Sequence, residues 1–156
     1  MLRRLQATNE LFVSSVNPNG PPHPLEEAVR NGDLSRTIEL LIESPSYLDA
    51  HFGEKCRTLL MLACERGHLD TIKYLIDQKA SLSECDIEGG DALMSAAANG
   101  NAPVVEYLLE HNAPLNSTMK NGRSAMYLAC LGRYEDIVKT LLERKCDPNI
   151  GKRETV

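Results

Sequence analysis

The chain returns to one pattern every 33 residues. Residues 57–77 read RTLLMLACERGHLDTIKYLID; GDALMSAAANGNAPVVEYLLE begins at Gly90, and RSAMYLACLGRYEDIVKTLLE at Arg123. Thr58, Asp91 and Ser124 stand at the same place in the three copies. A fixed period in this range means stacked units, each burying an apolar face on its neighbours. In the first copy Leu60, Ala63 and Cys64 share one helix face. Thr58, Asp91 and Ser124 just ahead are side chains that accept from the free N–H groups of a first turn. Gly67 and Gly100 close this short helix. A second helix follows, its inner face formed by Ile72, Leu75 and Ile76, then Val105, Leu108 and Leu109, then Val138, Leu141 and Leu142. Asp70, Pro103 and Asp136 share its first turn, where an acid suits the helix dipole and a proline loses no needed N–H. The inner positions of the first helix are small (Ala63/Cys64, Ala96/Ala97, Ala129/Cys130), which lets neighbouring units approach closely. Cys64 and Cys130 are therefore expected to be buried.

Between copies lie Asp86-Ile87-Glu88-Gly89-Gly90 and Lys120-Asn121-Gly122-Arg123. Their glycines supply turn conformations that other residues resist, so each link is expected to project as a β-turn finger. Leu25, Ala28, Val29 and Gly32, followed by Leu40 and Leu41, form a fourth helix pair. It is offset by two residues, with the surplus near Ser44-Pro45-Ser46-Tyr47. No finger precedes it, and Glu26 and Glu27 are expected to make its outer side polar, as the end of a stack requires.

These residues resemble the ankyrin repeat family over residues 24–149. The family pattern is a finger, then Thr-Pro-Leu-His, two alanines, a Gly-His turn, and a paired-leucine second helix ending near Gly-Ala-Asp-Val-Asn. Thr58, Leu60, Ala63, Gly67-His68, Leu75-Ile76 and Ala80 match it. Gly89, Leu93, Ala96-Ala97, Gly100, Leu108-Leu109, Ala113 and Asn116 follow, then Gly122, Ala129, Leu141-Leu142, Asp147 and Asn149. Some positions depart. Leu59, Ala92 and Ala125 replace the proline, and Met61, Met94 and Tyr127 replace the histidine. Arg133 replaces the turn glycine, with Gly132 one residue early, and Cys56 sits where a finger glycine is usual. A tetratricopeptide-like hairpin array is the competing reading; the finger glycines and short first helix argue against it. The resemblance implies an all-α fold, an ankyrin-repeat solenoid of about four helix pairs with β-turn fingers. It would occupy residues 24–150, between an N-terminal segment and Pro-rich linker (residues 1–23) and the start of an unfinished repeat (residues 151–156).

Composition agrees. Hydrophobic residues are 42% and aromatics 4%, with no Trp, as suits a core of aliphatic side chains. The net charge of −5 argues against nucleic acid, which needs a basic face. No apolar run approaches the ~20 residues of a membrane span. Five cysteines without metal-ligand spacing read as reduced thiols, which points to a cytoplasmic or nuclear setting. The four histidines fall at unrelated repeat positions, so no metal site is expected. No phosphate loop and no nucleophile context occurs, and no cofactor or catalysis is expected. Residues 1–16 read as a docking helix or a tail. Arg3 and Arg4 resemble a mitochondrial presequence, against which Glu10 counts. At the other end the face around Leu128, Val138 and Leu142 is expected to lack a covering repeat, and Glu154-Thr155-Val156 resembles a weak PDZ-type terminus.

In the family, partners lie across finger tips and the exposed side of the first helices. Carried over by position, this implies Glu54, Lys55, Arg57, Glu65 and Arg66 from the first full repeat. Ile87, Glu88, Gly90, Ala98 and Asn99 come from the second, and Lys120, Asn121, Arg123, Leu131 and Gly132 from the third. Arg30 and Asn31 extend the row. The implied partner is another protein, as an extended or helical segment with acidic groups flanking an apolar anchor, gripped by side chains facing water. The implied roles are scaffold, adaptor or ubiquitin-ligase substrate receptor; the alternative is a regulatory segment of a larger enzyme or channel. Asn149, and less well Asn116, match the setting in which ankyrin asparagines are hydroxylated.

Overall fold

The computed structural model describes residues 21–150. The expectations for residues 1–16 and for Glu154-Thr155-Val156 lie outside the described residues. Among the described residues eight α-helices form four helix–turn–helix pairs: α1 (Pro24–Asn31) with α2 (Leu34–Glu43), α3 (Leu59–Arg66) with α4 (Leu69–Asp77), α5 (Ala92–Ala98) with α6 (Ala102–Glu110), and α7 (Ala125–Leu131) with α8 (Glu135–Glu143). First helices stack on first helices and second on second, each pair touching the next in sequence. No strand is present among the described residues; the β structure is limited to isolated bridges at the fingers.

The caps follow from the residue types. Thr58, Asp91 and Ser124 accept from the N–H groups of Met61, Met94 and Tyr127 at 3.3, 2.9 and 3.2 Å. The first pair has its own cap: His23 Nδ1 accepts from Leu25 N–H at 3.2 Å. Its ring packs against Tyr47 and Phe52, and burial pulls its pKa down while Glu26 opposes the shift. The two surplus residues of this pair are taken up by a 3-10 turn at Pro45–Tyr47.

The turn between helices holds its left-handed residue at one repeat position. Gly32, Gly67 and Gly100 have φ of 71, 75 and 75°, and Arg133 occupies the same conformation at 58°. Gly132 does not take over that role. Its backbone is right-handed, and a Cβ there would run into the Tyr134 ring. Its glycine is needed for space instead. His68, Asn101 and Tyr134 each lie back on the preceding turn glycine. His68 Nε2 bonds with Arg30 O at 3.0 Å, and Asn101 Nδ2 donates to Cys64 O at 2.8 Å.

The fingers close by main-chain bonds: Phe52 with Arg57 in both directions, Asp86 N–H to Gly90 O, and Met119 N–H to Arg123 O. Cys56 at φ 53° takes the place filled by Gly89 and Gly122, both at 82°. Successive fingers are joined, Ile87 N–H donating to Lys55 O at 3.0 Å and Lys120 N–H to Glu88 O at 2.9 Å. This ladder fixes the spacing of the finger side chains.

Two burial expectations are corrected. Cys130 is exposed, unlike Cys64. The inner face of α7 keeps only Ala125, Met126 and Ala129 buried, and no described helix lies beyond it. Glu26 is buried rather than solvated. It turns toward the first finger, where Oε1 lies beside Gly53, and pairs with Arg30 at 3.0 Å. Glu27 is exposed as expected.

Candidate partner-binding surface

The first helices and fingers define one edge of the stack. A groove of about 180 Å³ runs along it where the last three repeats meet. Eight of the expected residues line it: Lys55, Arg57, Glu65, Glu88, Gly90, Ala98, Asn99 and Arg123. Met94, Met119 and Leu128 supply apolar lining, and Asp86 and Ser95 complete it. Sequence reasoning missed these five. The signal for Met94 was present, since it stands where the family has a histidine; Met119 and Leu128 carry none beyond their place next to a finger or on a first helix.

Charge in the groove is partly spent within the protein. Arg57 is not a free finger cation as expected: its guanidinium bonds to the Glu65 carboxylate, and both side chains are mostly covered. Asp86 Oδ1 accepts from Glu88 N–H at 2.9 Å and Gly90 N–H at 2.8 Å, which holds the second finger closed. The Arg123 guanidinium lies 5.6 Å from the centre of the exposed Tyr127 ring, within cation–π range. Lys55 and Glu88 remain exposed. Beneath the groove, burial pushes the pKa of the Asp91 carboxyl up, and the Met94 and Leu93 N–H groups and the Ser117 side chain oppose it. Burial raises the Cys64 thiol strongly and leaves it protonated at neutral pH.

Outside the groove, Ile87 is 53% exposed and Leu131 64%. Glu54, Arg66, Lys120 and Asn121 are exposed without lining it. Arg30 and Asn31 belong to the first pair and do not reach it, Arg30 being held by Glu26. Asn116 and Asn149 are exposed. Asn116 Oδ1 accepts from Asp147 N–H at 3.1 Å, and Asn149 N–H donates to Asp147 Oδ1 at 2.9 Å. A second cavity of about 360 Å³ lies at the α5–α6 and α7–α8 turns, lined by Gly100, Ala102, Tyr134 and Glu135 among others. Among the described residues no cluster of His, Cys, Asp or Glu is arranged to hold a metal, and no helix is long and apolar enough to cross a membrane.

Comparison with known proteins agrees with this architecture. The family described as "Ankyrin repeats (3 copies)" matches residues 25–119 and 79–152. The chain is similar to mouse (Mus musculus) ankyrin repeat domain-containing protein 63, 37% identical over 60 residues. That match covers 38% of this chain and 15% of the relative.

Proposed function

The chain belongs to the ankyrin repeat family, and from that premise we propose that it binds a segment of a partner protein along its finger and first-helix edge. Ankyrin repeats generally mediate protein–protein interaction, and they are typically non-catalytic. The observation that carries the finer reading is the groove of the last three repeats. Its apolar lining from Met94, Met119 and Leu128 accepts an apolar side chain, and Lys55 and Arg123 at its rim suit carboxylates beside that anchor. Exposed Ile87 and Leu131 extend the apolar contact. The pairing of Arg57 with Glu65 shifts the cationic role to Lys55 and Arg123. A role as scaffold, adaptor or ubiquitin-ligase substrate receptor, in the cytoplasm or nucleus, suits such a surface.

The test is quantitative capture from native lysate with the full chain as bait. Lys55→Glu combined with Arg123→Glu is expected to lose the captured partners. Lys73→Ala with Glu106→Ala, on the second helices, is expected to retain them. The reverse result would place binding on the opposite face.

A further inference from the structure

Three Asn–Gly pairs lie among the described residues, at Asn31, Asn99 and Asn121, and all three asparagines are exposed. Glycine leaves the following amide nitrogen unhindered, so that nitrogen can reach the asparagine side-chain carbonyl. The three settings differ. Asn31 ends α1, and the Gly32 N–H is engaged in the helix cap. Asn99 donates from Nδ2 to Ser95 O at 2.8 Å, which holds its amide back along α5. Asn121 lies at the tip of the third finger, outside any helix. Its Oδ1 accepts from Arg123 N–H at 3.1 Å. That bond folds the side chain forward across the Gly122 peptide and puts a donor on the oxygen that gains charge when the carbonyl is attacked. One turn bond, Gly122 N–H to Met119 O at 2.9 Å, opposes attack. At an exposed tip such a bond opens locally at small cost.

We propose that Asn121 is a site of spontaneous deamidation, converting a neutral finger tip into a carboxylate. The Gly122 nitrogen gives its proton to water or hydroxide and forms a bond to Asn121 Cγ. The Cγ–Nδ2 bond then breaks, and the nitrogen takes up a proton and leaves as ammonia. Water opens the resulting cyclic imide at either carbonyl, giving aspartate or isoaspartate. Either product adds one negative charge between Lys120 and Arg123. The aspartate fits the turn: the second finger carries Glu88 at this position, ahead of Gly89 with the same φ of 82° as Gly122. The isoaspartate adds a main-chain atom between Lys120, bonded to Glu88 O, and Arg123, which closes the finger, so it breaks the ladder.

This inference stands apart from the binding reading, and its test needs no partner. The purified full chain is aged at neutral and mildly alkaline pH, followed by isoelectric focusing and peptide mass mapping. The expected result is a more acidic species mapped to Asn121, formed roughly tenfold faster than at Asn31 or Asn99. It should form faster at the higher pH and be absent from Asn121→Gln, whose longer side chain disfavours the ring. An unmodified Asn121, or conversion no faster than at the helical pairs, would overturn the proposal; peptide mapping separates Asn121 from the further pair Asn19–Gly20.

Discussion

The α3–α4 and α7–α8 pairs carry nearly the same pattern and meet different fates. In α3 every residue from Leu59 to Cys64 is buried, because α1 covers one side and α5 the other. In α7 the side toward α5 is buried and the opposite side is open. Met61 is 1% exposed, whereas Tyr127 at the same repeat position is 48% exposed. The small inner alanines behave alike throughout, Ala63, Ala96 and Ala129 all being fully buried. A repeat therefore carries two kinds of apolar position. One is buried by the preceding unit, and the other only when a unit follows.

The strongest way to break that distinction is to truncate matching leucines. Leu109 is 7% exposed and Leu142 50%. Leu109→Ala is expected to cost ~2–5 kcal/mol through lost transfer energy and a cavity. Leu142→Ala should cost less than half as much, read from urea unfolding midpoints. Equal losses would mean that the last repeat is as well covered as the inner ones.

Cysteines sharpen the comparison next. Cys64 and Cys130 share one repeat position, but only Cys130 is exposed. Under native conditions Cys130 should alkylate roughly a hundredfold faster than Cys64, which reacts only through opening of the core. Mass mapping of the labelled peptides checks this, and comparable rates would contradict the burial assignment.

The smallest effect concerns the last turn. Arg133 holds the left-handed conformation that Gly32, Gly67 and Gly100 hold elsewhere. Arg133→Gly removes the steric cost of a side chain there, offset by greater freedom of the unfolded chain. A net gain of about 1 kcal/mol or less is expected. A loss of thermal stability would show that the Arg133 side chain has a compensating role.

The helices, their caps, the finger turns and the stacking order were legible in the sequence because each depends on local chemistry repeated in register. Thr58, Asp91 and Ser124 cap because of their own side chains, and the left-handed position between helices stays at one repeat site even where Arg133 fills it. The exposure of Ile87 and Leu131 was legible too, from their places at a finger tip and on the outer side of a first helix. Other outcomes came only from the tertiary structure, because they depend on what lies across a gap in sequence. Glu26 is buried because the first finger lies against α1, with Gly53 beside its carboxylate. Arg57 pairs with Glu65 because the finger folds beside α3. Cys130 is exposed because nothing among the described residues stacks on the side of α7 away from α5. Periodicity determines which side chains share a face; only the neighbouring unit, by covering that face or leaving it bare, decides whether water reaches it.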